Sequence, residues 1–133
     1  MVIVDTNILA YLLIEGDRTA EAQALFMRDA EWKSDAFILV EFTNILATCV
    51  RARGVSLKQV ETLLNDAEKS LRGLVNVPHS RALRVSERYS VAAYDARFLA
   101  AADALGGKLV TEDAKLRAAA PKLTQSLAEA LAD

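Results

Sequence analysis

The sequence predicts an α/β layer structure in which a mostly parallel central sheet is flanked by helices. Short apolar runs at residues 1–4, 74–77 and 108–111 alternate with longer segments whose apolar residues recur at helical spacing. The first run is β-branched and uninterrupted by polar residues, as is typical of a strand buried in a parallel sheet. This alternation of strands and helices is typical of layered α/β domains.

The length and composition are those of one folded domain, which we expect to span residues 1–133. The hydrophobic fraction of 53 % is sufficient for a core and argues against disorder. No apolar run approaches the roughly 20 residues that cross a bilayer, and no signal peptide is visible, so no membrane partner is expected. The single cysteine, Cys49, excludes an internal disulfide framework and is typical of a reducing cytoplasm, where we expect the protein to act.

Four helices are predicted in the first half of the chain. They cover residues 8–14, from 17 or 19 to about 30, 36–52 and 57–72. Ser56 and Gln59 form a capping box at the start of the fourth helix. Gly54 and Gly73 are expected to end the third and fourth helices, because glycine readily adopts the left-handed conformation that follows a helix.

The second half of the chain alternates strands and helices in shorter steps. Strand 74–77 is followed by helices to residue 89 and from about 94 to 105, then by strand 108–111 and a short helix after Asp113. Pro121 ends that short helix. Residues 122–133 are open to three interpretations: a short edge strand, a helix from Thr124, or both.

Four acidic residues fall where a parallel sheet would bind a ligand. Asp5 and Asp113 come just after predicted strands, and Asp95 begins a helix. Ligand sites in such sheets lie beyond the carboxyl ends of the strands, where helix amino ends also gather. Glu41 lies inside a predicted helix and borders its buried stripe. The four carboxylates therefore can converge, while each aspartate alone is also a good helix cap and Glu41 alone a surface acid.

A convergent set of carboxylates requires positive charge, because like charges raise each other's pKa unless a cation is bound. Oxygen ligands without cysteine or histidine suit Mg²⁺ or Mn²⁺ rather than Zn²⁺. Such an ion polarises a phosphoryl oxygen and lowers the pKa of bound water, so the chemistry indicated is phosphodiester hydrolysis. A phosphatase of the haloacid-dehalogenase type is disfavoured, because it needs a second acid where this chain has Asn7.

Four motifs, in order along almost the whole chain, resemble those of the PIN-domain ribonucleases, and especially the VapC-type toxins of type II toxin–antitoxin systems. They are VDTNIL at 4–9, VEFTNIL at 40–46, YDARFLAAA at 94–102 and LVTEDAKL at 109–116. The resemblance implies a three-layer PIN-like fold and a pocket that holds Mg²⁺ or Mn²⁺. It also implies a divalent-metal-dependent endoribonuclease, with a catalytically silent RNA- or protein-binding module as the alternative.

The resemblance also assigns roles to individual residues. It places the metal on Asp5, Asp95 and Asp113, and it gives Glu41 a role through water or a second ion. Asn7 and Thr111 are expected to orient these acids or a bound water, and Asn44 matches a common polar position. The catalytic set implied is therefore Asp5, Glu41, Asp95, Asp113, Asn7 and Thr111.

One departure concerns the residues around the last aspartate. Some relatives carry a further acid or asparagine just after it, where this chain has Ala114 and Lys115, so a second ion is in doubt. Glu112 is adjacent, but it is expected to point away if Asp113 faces the metal.

The resemblance further implies an RNA substrate, possibly transfer RNA, a cognate VapB-type antitoxin and a homodimer. Residues 18–30 and 57–72 have apolar faces that either form a groove for an antitoxin tail or belong to the core. Two basic groups either contact phosphates or form solvated faces. They are Arg81, Arg84 and Arg88, and Arg51, Arg53 and Lys58. Trp32 is expected to pack at a helix end and Tyr94 to pack beneath Asp95.

Overall fold

The centre of the fold is a five-stranded sheet in which every strand pairs in parallel with its neighbours. The computed structural model describes residues 1–133. The strands are β1 (Val2–Val4), β2 (Trp32–Asp35), β3 (Leu71–Val75), β4 (Leu109–Val110) and β5 (Thr124–Gln125). Their order across the sheet is β3-β2-β1-β4-β5. All the carboxyl ends therefore lie along one edge, which is where ligands bind in sheets of this kind.

Eight helices cover the sheet and complete the expected layered α/β fold. They are α1 (Thr6–Leu13), α2 (Thr19–Arg28), α3 (Phe37–Arg53), α4 (Leu57–Ser70), α5 (His79–Tyr89), α6 (Ala93–Leu105), α7 (Ala114–Ala119) and α8 (Leu127–Ala132). Helix α5 packs on α6, which contacts β1, β2 and β4. A second group comprises α1, α2, α3, α4 and α8. None of the helices combines the length and the apolarity that crossing a bilayer requires.

The core lies around the central strands. Val4 of β1 and both residues of β4, Leu109 and Val110, are fully buried, as expected for parallel strands covered on both faces. Burying a side chain of this size contributes about 1.5–3 kcal/mol relative to leaving it in water. These strands therefore give the edge that carries the acidic residues a firmly packed support.

Several predicted helix ends are confirmed. Ser56 caps α4 through the capping box with Gln59, in which each side chain accepts a hydrogen bond from the other residue's backbone. Gly54 follows α3 with a φ of 66° and so supplies the left-handed residue that ends the helix.

Strand β2 was not predicted from the sequence. Polar residues fill it after Trp32, and they hide the apolar alternation by which strands are recognised. The polar groups are satisfied inside the fold: Ser34 Oγ donates to the Val4 carbonyl at 2.7 Å, and Asp35 accepts from the Val77 amide at 3.1 Å. Trp32 is fully buried in this strand against the edge of Phe26, so its expected place at a helix end was wrong.

The strand predicted at 74–77 is displaced in the structure. Helix α4 ends at Ser70 and β3 follows at once, so Gly73 lies within the strand and does not end the helix. A Cβ at Gly73 would lie 3.3 Å from the Lys33 side chain on β2, so a larger residue here would require that side chain to shift. At the other end of the sheet, the tail forms both β5 and α8, the third of the interpretations that the sequence left open.

The apolar faces at residues 18–30 and 57–72 belong to the core. Helix α2 packs on α1 and α8, and α4 packs on α3, α1 and β3. The residues that these two helices bury in the core are Ala22, Leu25, Val60 and Ala67. The groove interpretation of these two faces is therefore wrong.

Candidate functional site

Four carboxylates from distant parts of the chain line one cavity at the carboxyl edge of the sheet. They are Asp5, Glu41, Asp95 and Asp113, and the cavity has a volume of about 370 Å³. Asp5 and Asp113 come from the ends of β1 and β4, Glu41 from the middle of α3 and Asp95 from the first turn of α6. No lysine or arginine lines this cavity. The convergence expected from the sequence is therefore present in the fold.

Asp5 is both a helix cap and a member of the cavity. Its Oδ1 accepts a hydrogen bond from the Ile8 amide at 3.2 Å, and its Oδ2 accepts a short hydrogen bond from the Thr111 hydroxyl. Burial, with a smaller contribution from the nearby Asp113 charge, raises its pKa from 3.8 to about 6 against the opposing effect of these hydrogen bonds. The two interpretations of Asp5 are therefore compatible, since the cap fixes the carboxylate at the sheet edge.

Thr111 connects the two aspartates that follow strands. It is fully buried beyond β4, where its hydroxyl donates to Asp5 and accepts from the Asp113 amide at 3.1 Å. Asp113 caps α7, and its Oδ1 accepts from the amides of Lys115 and Leu116 at 3.0 and 3.1 Å. Its Oδ2 makes no hydrogen bond within the chain. One oxygen of Asp113 thus holds the helix while the other is available.

Asp95 and Glu41 complete the acidic lining. Asp95 makes no side-chain hydrogen bond, and burial raises its pKa, with the charges of Asp113 and Glu41 adding to the effect. Glu41 Oε1 accepts from the Thr6 hydroxyl at 2.6 Å, which leaves Oε2 without a partner. These carboxylates are therefore close enough to repel one another, and no cation of the chain offsets them.

The polar residues of the site differ in what they contact. Thr111 contacts the acids directly, but the Asn7 side chain lines the cavity without a hydrogen bond to any of them. Asn44 also lines the cavity with its amide free. Sequence reasoning missed Thr6, which holds Glu41 and had only its place beside Asp5 as a signal.

The donor set suits a hard divalent cation, although the side chains do not surround one. All the donors are carboxylate or hydroxyl oxygens, the type that Mg²⁺ and Mn²⁺ prefer. No group of three or more histidine, cysteine, aspartate or glutamate side chains is arranged to hold a metal ion. Asp5 and Asp113 each use one carboxylate oxygen to cap a helix. In type and charge the residues fit such an ion, which would offset their repulsion.

Comparison with known proteins gives the family. A family model described as the PIN domain matches residues 2–122. The chain belongs to the PIN-domain family. This PIN domain is similar in fold to the crystal structure of PAE2754 from Pyrobaculum aerophilum, with a TM-score of 0.79 and 22 % sequence identity. That match covers 98 % of this chain and 86 % of the other. A search of curated proteins finds no match.

Family membership gives the PIN domain a nuclease-type fold, and PIN domains are usually nucleases that use divalent metals. The basic groups that the sequence singled out lie outside the acidic cavity. Arg81, Arg84 and Arg88 line a separate cavity of about 480 Å³ beside α5 and α6, and Arg81 pairs with Asp103 at 2.5 Å. Tyr94 does not pack beneath Asp95, since it is an exposed residue stacked on Phe37.

Proposed function

We propose that this PIN domain is a divalent-metal-dependent endoribonuclease that hydrolyses RNA phosphodiester bonds and acts as the VapC-type toxin of a toxin–antitoxin pair. The observation that carries the proposal is the meeting of Asp5, Glu41, Asp95 and Asp113 in one cavity without a basic side chain. A phosphodiester is itself an anion, so such a cavity can accept it only together with a cation.

Asp5, Asp95 and Asp113 would hold the ion, which we take to be Mg²⁺ or Mn²⁺. When bound, it supplies the positive charge that offsets these carboxylates and stabilises negative charge on the phosphoryl group. Thr111 holds two of the three proposed metal ligands in position, because its hydroxyl contacts Asp5 and the Asp113 amide. Burial, and in addition the neighbouring Asp113 charge, raises the pKa of Asp5 and of Asp95, and a bound cation would favour the ionised form of both.

We assign Glu41 the role of proton acceptor in this reaction. Its Oε1 is held by Thr6 at 2.6 Å, while its Oε2 has no partner in the chain. In the proposed reaction this free oxygen orients a water molecule and accepts its proton as the water attacks phosphorus. The bond from phosphorus to the 3′ oxygen breaks, and that oxygen takes a proton from solvent, which leaves a 5′-phosphate and a 3′-hydroxyl. Asn7 and Asn44 line the same cavity with free amides and can orient the water or the phosphate.

The proposed partners are an RNA substrate, possibly transfer RNA, a VapB-type antitoxin and a second copy of the chain. Support for an antitoxin contact comes from a mostly apolar groove of about 300 Å³ along α1 and α3. Asn44 and Ile45 line both this groove and the acidic cavity, so a chain segment lying in the groove would reach the carboxylates.

The nuclease proposal is tested by incubating the purified protein with structured RNAs, with and without Mg²⁺ or Mn²⁺. We expect metal-dependent cleavage, and we expect Asp95→Asn to reduce it by roughly 100- to 1,000-fold, as removal of a transition-state electrostatic group does. The matched control is Asp103→Asn, two turns further along α6 and paired with Arg81 outside the cavity. Equal loss in both variants, or none in Asp95→Asn, would refute the assignment.

The second candidate function is a catalytically silent module that binds RNA or protein. The observation favouring it is that no three acidic side chains are arranged around an ion position. The same experiment separates the two candidates, because a silent module binds RNA without cutting it at any concentration of Mg²⁺ or Mn²⁺.

A further inference from the structure

A second cavity lies beside helices α5 and α6, and the proposed chemistry does not use it. Its volume of about 480 Å³ exceeds that of the acidic cavity, and Arg81, Arg84 and Arg88 line it. These residues follow one another at intervals of three and four along α5, so their side chains leave the same face of the helix. We call this space the arginine cavity. Three guanidinium groups, which stay protonated at physiological pH, gather there.

Two of the three arginines have no counter-charge. Arg81 pairs with Asp103 at 2.5 Å, and Asp103 is the only carboxylate that lines the cavity. Arg84 and Arg88 form no ion pair within the chain, and both are exposed. Like charges one helical turn apart destabilise a helix, so an anion bound between these two side chains would relieve their repulsion.

Two further groups favour an anion in this cavity. The Arg88 guanidinium lies 5.3 Å from the centroid of the Tyr89 ring, a cation–π contact that limits where its side chain can lie. Ser80, one turn before Arg84, also lines the cavity, and its hydroxyl is free to donate a hydrogen bond. Ser80 is in the first turn of α5, where the helix dipole favours negative charge.

The remaining lining of the arginine cavity is largely apolar. Leu99 of α6 is fully buried, while Val85 and Leu123 are partly buried and pack against the core. Cavities of about 300–1,000 Å³ that combine an apolar lining with a few polar groups are typical of small-molecule sites. The ligand that fits therefore has an anionic part and an apolar part.

A nucleotide has both parts. Arginine binds phosphate through paired N–H donors, and a phosphate has enough acceptor oxygens to accept from Arg84, Arg88 and Ser80 together. A carboxylate has only two oxygens, and inorganic phosphate would leave the apolar residues without a contact. The base of a nucleotide has flat faces that pack on apolar and aromatic side chains.

We propose that the arginine cavity binds a nucleotide, whose phosphate contacts Arg84 and Arg88 and whose base lies against the apolar lining. The nucleotide is either free or part of an RNA strand, and the second case rests on the proposed nuclease function. Helix α6 connects the two cavities: Asp95 lines the acidic cavity, and Leu99, about 6 Å further along the helix, lines the arginine cavity. An RNA strand cut at the first is therefore close enough to place a neighbouring nucleotide in the second.

The test measures binding in EDTA, because the acidic cavity repels phosphates when no divalent cation is present. The probes are ATP with a fluorescent N-methylanthraniloyl group and a fluorescein-labelled single-stranded RNA 12-mer, each followed by fluorescence anisotropy. Arg84→Gln/Arg88→Gln should weaken binding of at least one probe by roughly 10- to 100-fold, as the loss of charge-assisted hydrogen bonds does.

The matched control is Arg51→Gln/Arg72→Gln, which removes the same charge from two exposed arginines outside both cavities. It should weaken binding by about 2-fold at most at 0.15 M salt, since distant exposed charges are screened.

Arginine-dependent binding of ATP identifies a free nucleotide, and arginine-dependent binding of the 12-mer alone identifies an RNA strand. In the second case, RNA cleavage by Arg84→Gln/Arg88→Gln in Mg²⁺ should show a raised KM and an unchanged kcat. Arginine-dependent binding in a protein that cuts no RNA supports the nucleotide site and refutes the nuclease. The nucleotide site is overturned if neither probe binds, if both double variants weaken binding equally, or if KM is unaltered in the second case. Tighter binding of a fluorescein-labelled poly-glutamate 12-mer than of either probe also overturns it, because the cavity then selects an acidic peptide.

Discussion

Glu112 and Asp113 are neighbours in the chain, yet their carboxylates lie in opposite environments. Glu112 is paired with Arg18 at 2.5 Å and Arg117 at 3.8 Å, and it accepts a hydrogen bond from the Leu127 amide at 2.8 Å. Asp113 faces no cation and shares its cavity with three other acids. Glu112 does point away from the site, as expected from the sequence. Two adjacent residues therefore carry one carboxylate that is paired with basic side chains and one that is not.

The difference in charge environment separates the structural role of Glu112 from the functional role that we propose for Asp113. The Glu112 contacts join the start of α2, the end of β4 and the start of α8, so they hold three parts of the chain together. The acids of the cavity make no such cross-link to a basic side chain, and burial together with the Asp113 charge raises the pKa of Asp5 and of Asp95. Carboxylates that are left together without a counter-charge lower stability and are retained in active sites for their chemistry.

The largest effect is expected from Asp113→Asn. Asparagine caps a helix as well as aspartate does, so the free energy of unfolding should change by less than about 0.5 kcal/mol. Metal-dependent RNA cleavage should fall by roughly 100- to 1,000-fold, because one of the carboxylates proposed to hold the metal ion is lost. Cleavage kinetics and urea unfolding of the same preparation check both parts. Undiminished cleavage, or a loss of stability that accounts for the inactivity, would contradict the functional role given to Asp113.

The opposite result is expected from Glu112→Gln. Losing a largely buried carboxylate between Arg18 and Arg117 should lower the free energy of unfolding by about 2 kcal/mol, less than for a fully buried pair because both arginines are partly exposed. Urea unfolding measures the change. Glu31→Gln, which removes an exposed pair with Lys33 at 3.6 Å, is the control and should change stability by less than about 0.5 kcal/mol. Equal effects in the two variants would contradict the structural role.

A smaller effect is expected from pH through Asp5. Its folded pKa of about 6 lies above the value of 3.8 in the unfolded chain, so the folded state binds the proton more tightly. Stability from this group therefore rises as pH falls from 7, by about 1.4 kcal/mol at pH 5. Asp5→Asn has no such group, so wild type should gain this amount relative to the variant in metal-free urea unfolding at pH 7 and 5. A constant difference between the two proteins would contradict the raised pKa.

The architecture and the acidic residues could be predicted from the sequence for a common physical reason. Uninterrupted β-branched runs and capping residues are local signals, and parallel strands bring their carboxyl ends to one edge wherever they pair. Asp5 and Asp113 were found in this way. Glu41 was found from its position beside a buried stripe, a signal that depends only on helical periodicity.

What the sequence did not reveal depends on contacts between distant segments. Strand β2 has polar residues whose partners, such as the Val4 carbonyl for Ser34, lie in another strand. The hydrogen bond from Thr6 to Glu41 spans 35 residues, and no local sequence pattern predicts it. Tyr94 was expected to be covered, but its stacking partner Phe37 is on another helix and leaves it open.

The Thr111 hydroxyl adds a side-chain hydrogen bond to the contacts that join two strands at the sheet edge. Its hydrogen bond to Asp5 joins the end of β1 to the end of β4, while its bond to the Asp113 amide stays within the β4 segment. A shift of β1 along β4 would therefore lengthen the hydrogen bond to Asp5 and leave the bond to the Asp113 amide unchanged. The spacing of these two aspartates across the sheet, and with it the position of two proposed metal ligands, depends on this side-chain hydrogen bond together with the backbone bond from the Asp5 amide to the Val110 carbonyl at 3.3 Å.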